Sequence, residues 1–277
     1  MRILENVRGR DAYIIQTTVF PANDSFMELL FYVDALKRAS AASVTAVIPY
    51  FSYAKGDKKD EPRVSIRARV CANCLEAAGI DRVITVDLHA PQIQGFFSKP
   101  VDNLTAGPIL VDRLRREGLR DIVIVSADAG FAKDARRFAS YLGAPVAIAD
   151  KRRVAHDDSA EVLGILGDVA GKVAVIVDDF AISCKTLVGN AGHLRAMGAT
   201  EVYAAITHGV FSVDAAQRLD DSAIKKLFVT DTIETHPVAL SKRVETVSVA
   251  ELLGEAIRRV HRGESVSRIF DWRDPRG

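Results

Sequence analysis

The sequence predicts an α/β protein built from two doubly wound parallel-sheet domains. Three observations predict it. Short apolar runs rich in β-branched residues alternate with longer amphipathic stretches along most of the 277 residues. The runs are continuously apolar, as strands covered on both faces are. Several amphipathic stretches stop at glycine, which takes the left-handed conformation that closes a helix.

In chain order the strand-like runs cover residues 12–17, 44–49, 83–86, 122–125, 146–148, 173–177, 202–206 and 227–229. Helical patterns cover 24–39, 67–78, 104–117, 132–141 and 186–197, with a last one over 250–262. Gly79, Gly118, Gly143 and Gly198 follow four of them. A loop at 102–108 holding Gly107 and Pro108 marks the best boundary, so one domain covers 1–105 and a second covers 106–248. The polar tail 270–277 reads as loose.

Composition narrows the function. Hydrophobic residues make up 48% of the chain, enough for a sizeable core. The formal charge of +1 gives no electrostatic reason to expect nucleic acid or a membrane surface as partner. No apolar run approaches the ~20 residues that span a bilayer. Three cysteines, Cys71, Cys74 and Cys184, form an odd, sparse set that suits a reducing, cytoplasmic setting. Cys71 and Cys74 have CxxC spacing, but they fall inside a helical pattern and no second pair completes a zinc site, so they read as structural.

Polar residues gather where strands end. Asp87-Leu88-His89 follows one run, Ser126-Ala127-Asp128-Ala129-Gly130 another, Asp178-Asp179 a third and Thr230-Asp231-Thr232 a fourth. Open α/β sheets bind ligands outside the carboxyl ends of their strands. The bland alternative is capping of the next helix, and Asp231 is read that way. The strongest signal is the stretch from Val173 through Asp178-Asp179-Phe180-Ala181-Ile182-Ser183-Cys184-Lys185-Thr186. A strand, a short loop and a helix start present unpaired amides at the positive end of a helix dipole, a ready phosphate site. Carboxylates would repel phosphate, so they need another task, such as holding vicinal hydroxyls or a metal ion. Phosphate with a diol means a phosphorylated sugar.

That segment resembles the phosphoribosyl-pyrophosphate loop of type I phosphoribosyltransferases and ribose-phosphate pyrophosphokinases. Further stretches select the second family: Ile48-Pro49-Tyr50-Phe51-Ser52-Tyr53-Ala54-Lys55-Gly56-Asp57-Lys58-Lys59, Thr85 to Ala90, Gln92 to Phe97, Pro100 to Leu104, Asp150-Lys151-Arg152-Arg153, and Thr207-His208-Gly209-Val210-Phe211-Ser212. The similarity runs over most of the chain.

The resemblance implies a type I phosphoribosyltransferase-like fold, with residues 249–277 returning to the first domain. It implies transfer of the β,γ-diphosphoryl group of ATP to the 1-hydroxyl of ribose 5-phosphate, with magnesium, for nucleotide biosynthesis. By it, Asp178 and Asp179 hold the ribose hydroxyls, and Ile182, Ser183, Cys184, Lys185 and Thr186 cradle the 5-phosphate. Lys55, Gly56, Asp57 and Lys58 belong to the ATP segment, where Phe51 and Tyr53 offer aromatic faces to a purine. His89, Asp128 and Asp87 correspond to magnesium-linked positions. Lys151 and Arg153 correspond to a cationic loop that closes over the reacting phosphates. It also implies a homo-oligomer, a dimer or hexamer.

Departures from the family pattern accompany these matches. Ile182, Ser183, Cys184 and Lys185 stand where the family has an acid, a threonine and two glycines. Lys55-Gly56 replaces an arginine-glutamine pair, and Phe131 replaces a glycine. Family members carry a few dozen residues ahead of the point matched by Met1. The expectation is an incomplete gene reading or a truncated paralogue. A non-catalytic regulatory subunit is therefore the alternative to an active enzyme.

Overall fold

The computed structural model of the chain describes residues 1–153, 160–234 and 241–269; the side chains of 151–163 and 268 lie outside that description. The first elements are β1 (Asp11–Ile15), α1 (Ala22–Arg38), β2 (Ser43–Ile48), α2 (Arg67–Ala78), β3 (Arg82–Val86) and β4 (Val101–Leu104). There follow α3 (Gly107–Arg116), β5 (Ile122–Ser126), α4 (Ala132–Leu142), β6 (Val146–Arg153), β7 (Ala160–Leu166) and β8 (Val173–Ala181). Then come α5 (Lys185–Ala196), β9 (Glu201–Gly209), α6 (Ala215–Asp220), β10 (Ile224–Thr230), β11 (Val244–Val247) and α7 (Ala250–His261). Residues 1–105 and 250–269 form one compact unit, and 106–249 form another.

In the first unit four parallel strands follow chain order, β1-β2-β3-β4. Helix α1 buries Phe26, Leu29, Val33 and Leu36, spaced to make one apolar stripe. Leu29 and Val33 are fully enclosed, and each such side chain contributes about 1.5–3 kcal/mol by leaving water. They pack with Val44, Ala46 and Ile48 of β2 and Leu75 of α2. Gly79, at φ 108, closes α2 in the left-handed conformation that the glycine signal predicts. Cys71 faces the same core, and burial pushes its thiol up to about 12, which leaves it inert at neutral pH.

The second unit holds seven strands in the order β11-β10-β9-β8-β5-β6-β7, all parallel except β7, which runs against β6. Strand residues alternate faces. Val123, Val125, Ala174 and Ile176 pack with Leu187, Ala191 and Leu194 of α5. Ile124, Val175 and Val177 pack with Leu110, Val111 and Leu114 of α3 and Phe138 of α4. Both faces are thus covered, as continuous apolar strands require. The chain leaves β5 toward β6 on one side, then returns beyond β5 to lay down β8 and moves outward through β9, β10 and β11. The order reverses between β5 and β8, which are direct neighbours.

Several boundaries differ from the sequence reading. Leu104 ends β4, so α3 starts at Gly107 and not at 104. The strands β4, β7 and β11 and the short α6 are additional. The β6 backbone continues to Arg153, so Asp150-Lys151-Arg152-Arg153 is strand where a loop was expected. Among the described residues no helix is long and apolar enough to cross a membrane.

Candidate active site

The order reversal between β5 and β8 is where an open α/β sheet forms a crevice outside its strand ends. Two of the polar segments singled out in the sequence lie there. Ser126 to Gly130 leaves the carboxyl end of β5, and Asp178 to Thr186 spans the end of β8 and the start of α5.

Strand β8 runs four residues further than its apolar run. Its register with β9 continues through Asp178↔Ile206, Phe180↔His208 and Ala181↔Gly209. Both aspartates are therefore in the strand, and the two-residue period sends them to opposite faces. Both are half-buried. The Asp178 carboxylate accepts the Asp179 amide at 3.0 Å.

The loop beyond turns its carbonyls inward. Ala181 O accepts Val210 N at 2.9 Å, and Ile182 O accepts Ser212 N at 2.9 Å. Ser183 O accepts the Arg218 guanidinium at 3.2 Å, and Cys184 O accepts Val188 N at 2.9 Å. Arg218 is itself paired with Asp214, which also accepts Ser212 Oγ at 2.5 Å. Among the described residues none of the amides from Ser183 to Leu187 donates to a protein acceptor. They are the orphan donors of a helix start, at the positive end of its dipole. Lys185 and Thr186 are exposed beside them.

Cys184 is the residue where this loop turns into α5, and its φ is 57. A side chain in this left-handed region costs roughly 1–2 kcal/mol, so the backbone keeps a glycine-like shape although cysteine occupies the position. The thiol is 3% exposed. Burial pushes it up to about 12, against the opposing pull of Arg218 and with Asp214 adding to the rise. It is a packed sulfur and no nucleophile.

The Ser126–Gly130 turn is held from within. Ser126 Oγ donates to Asp128 O at 2.6 Å, and the Asp128 carboxylate accepts Phe131 N at 3.1 Å, just ahead of α4. The Asp128 carboxylate thus closes the turn that leads into α4. Phe131 has an ordinary φ of −90, so nothing at that position demands glycine. Asn190 of α5 reaches this turn, its Nδ2 donating to Ala127 O at 3.1 Å. Asn190 is fully buried, and among the described residues its Oδ1 has no hydrogen-bond partner. Such a bond is worth about 1 kcal/mol, whereas an orphaned buried acceptor costs about 1–3 kcal/mol.

In the first unit, Asp87 and His89 follow β3. Asp87 has a φ of 38 and donates its amide to Leu104 O at 2.9 Å, while Leu88 N donates to Asn103 Oδ1 at 3.0 Å. His89 is exposed. The segment with Lys55, Gly56, Asp57 and Lys58 begins in a single tight turn, Ala54–Gly56. A β-carbon on Gly56 would lie 2.7 Å from Arg67 Nε and 2.9 Å from Arg67 Cβ, so close approach of α2 explains glycine there. Lys58 is exposed. The purine platform expected at Phe51 is not there. Phe51 is 4% exposed and packs edge-on to Phe97, 6.4 Å between ring centres. Tyr53 packs edge-on to Phe26.

Among the described residues no three or more His, Cys, Asp or Glu side chains are gathered to hold a metal. Magnesium needs no such cage, since one or two carboxylates with substrate phosphates and water usually suffice. Asp128 and Asp87 offer suitable hard oxygens; His89 suits magnesium less well. The side chains of Lys151 and Arg153 lie outside the described residues.

Residues 1–79 match the N-terminal domain of ribose phosphate pyrophosphokinase, and 153–271 match the phosphoribosyl synthetase-associated domain. A ribose-phosphate pyrophosphokinase of Hyphomonas neptunium is 49% identical over 274 residues, which cover 98% of this chain and 88% of that protein. The chain belongs to the ribose-phosphate pyrophosphokinase family. It is accordingly an enzyme of the transferase class. A Bacillus cereus pyrophosphokinase is 48% identical over 271 residues, 98% of this chain and 85% of that one. The crystal structure of phosphoribosylpyrophosphate synthetase from Mycobacterium smegmatis superposes with a TM-score of 0.89 at 38% identity, covering 95% of this chain and 86% of that chain.

The sequence reading did not find Arg218, Ser212 or Asn190 as supports of the site. Asn190 carries a signal in hindsight. It shares a buried helix face with Leu187, Ala191 and Leu194, where a polar residue needs a reason.

Proposed function

We propose that the chain transfers the β,γ-diphosphoryl group of ATP to the 1-hydroxyl of ribose 5-phosphate, giving 5-phosphoribosyl 1-pyrophosphate and AMP for nucleotide biosynthesis. The observation that carries this reading is the loop after β8, with its carbonyls bonded within the protein and its amides from Ser183 to Leu187 without an acceptor among the described residues. That cradle suits a terminal phosphate dianion. Asp178 and Asp179, near the carboxyl end of β8, are assigned the two ring hydroxyls as acceptors. Lys185 and Thr186 add a cation and a hydroxyl donor.

The sugar hydroxyl oxygen attacks the β-phosphorus, the bond to the α-phosphate oxygen breaks, AMP leaves and the hydroxyl proton is released. Little covalent chemistry is asked of the protein, so positioning and charge neutralisation carry the rate. Lys151 and Arg153 are assigned the cations that meet the moving phosphates. Lys55, Gly56, Asp57 and Lys58 are assigned to the nucleotide. Asp128, His89 and Asp87 would hold magnesium, which when bound neutralises nucleotide phosphate charge. The domain limits, 1–105 with 249–277 and 106–248, a cytoplasmic location and a homo-oligomer of two or six chains belong to the same reading.

Cysteine in a left-handed position favours a second reading, a regulatory subunit that does not turn over. Phosphorus NMR of the recombinant chain with ribose 5-phosphate and MgATP separates the two. Formation of AMP and the diphosphorylated sugar, lost in Lys151→Ala, supports the enzyme. No turnover, with stimulation of a second pyrophosphokinase, supports the subunit.

A further inference from the structure

We infer that Asn190 is a positioning residue that holds the Asp128 turn against the pentose-phosphate cradle; this rests on the functional reading above. Helix α5 begins in the cradle, and its buried face runs through Leu187, Asn190, Ala191 and Leu194. Three of these positions pack into the apolar core, and the fourth carries a carboxamide with no exposure. Its Nδ2 spans 63 residues of chain to reach Ala127 O at 3.1 Å. The carbonyl fixes the orientation, since the reversed amide would set two acceptors face to face. The remaining oxygen, Oδ1, then has no partner among the described residues. An amide held in an apolar layer with one donor engaged and its oxygen unpartnered among the described residues is a poor stabiliser. Its one bond goes to the residue next to Asp128, in the turn that crosses the order reversal of the sheet. A single side chain therefore ties the helix that presents the phosphate amides to the turn that presents Asp128.

The consequence is specific. Without the bond the cradle remains, because its carbonyls are held by Val210, Ser212, Arg218 and Val188. The Asp128 turn keeps the apolar packing of Ala127 but loses its hydrogen-bonded link to α5. Substrate affinity should survive while the reacting groups lose register, and a misplacement of about 1 Å costs on the order of 100-fold in rate.

The test uses the full chain and two variants, Asn190→Leu and Asn190→Asp. Leucine keeps the volume and suits the core; aspartate keeps the shape and removes the donor. The expected result for Asn190→Leu is a folded protein with KM for ribose 5-phosphate within about threefold of the parent and kcat lower by about 10- to 100-fold. The magnesium concentration giving half-maximal rate should rise in the same variant. Amide hydrogen exchange at 128–132 should speed up in both variants while that at Val188, whose amide donates to Cys184 O, holds. Unchanged exchange at 128–132 overturns the inference, as does parental kcat with parental magnesium dependence in Asn190→Leu. Equal loss of protection throughout the unit also overturns it, by showing a general packing role. A parent chain that makes no product sinks the pyrophosphokinase reading instead, and the exchange measurement still decides whether Asn190 holds the turn.

Discussion

The two ends of the second unit's sheet spend their polar groups differently. At the amino ends of β10 and β11, charges are consumed by one another. Glu245 pairs with Arg113 and Lys226, and Glu117 pairs with the same two cations. Arg113 and Lys226 also lie over the Phe228 ring, at 4.7 and 5.2 Å from its centre. Arg113 beside Glu245 holds that carboxyl down at about 2. At the carboxyl end of β8 the protein instead uses the loop carbonyls internally, while among the described residues the amides from Ser183 to Leu187 meet no protein acceptor. The difference shows that polar residues at a strand end are not informative by themselves. What matters is whether the structure supplies their partners.

The contrast is broken first at the carboxyl end of β8. Asp178→Asn and Asp179→Asn should each lower kcat/KM for ribose 5-phosphate by about 10- to 100-fold, the worth of one hydrogen bond to a charged group. Steady-state kinetics checks this, and parental values in both would remove the carboxylates from the site. Next is the turn at Cys184. Valine is β-branched and strongly disfavoured at a φ of 57, so Cys184→Val should destabilise the chain by about 1–3 kcal/mol. Urea unfolding measures that cost, and a parental midpoint would show that the turn accepts branching.

At the closed end the effect is smaller and depends on pH. Glu245→Gln should cost about 1 kcal/mol at neutral pH and leave turnover intact. Because the folded carboxyl is depressed from 4.5 to about 2, its stabilisation is present above pH 4.5 and lost as pH falls toward 2. The gap between parent and variant in denaturant should therefore close across that window. A gap that stays constant would mean the charge is irrelevant. The smallest effect concerns the thiols. Cys71 and Cys184, buried and pushed up to about 12, should resist a thiol reagent at pH 8 in the native state, leaving Cys74 as the reactive one. Rapid labelling of all three would contradict the packing.

Much of the fold was legible because the apolar runs are continuous. The runs at 83–86, 122–125 and 173–177 became the central strands. The edges were harder to see. Asp102, Asn103 and Leu104 fall in the loop expected at 102–108 on its glycine and proline, yet pairing with β3 makes Val101–Leu104 a strand. Val244-Glu245-Thr246-Val247 is too short to stand out, and is fixed by its parallel register with β10. The site was legible as acids and amides at one strand end. Its supports were not, because Arg218 and Asn190 lie far along the chain from the carbonyls they hold. Phe51 misled for a related reason: an aromatic beside cations looks like a ligand platform until its own core contacts are known.

Calorimetric titration of ribose 5-phosphate into three proteins tests the central claim most directly: the parent, Asp178→Asn and Glu245→Gln. Saturable uptake by the parent, the same uptake by Glu245→Gln and a loss of about tenfold or more in Asp178→Asn is the predicted pattern. No heat with the parent, or equal affinity in Asp178→Asn, would contradict the assignment of the open end of this sheet to a phosphorylated pentose.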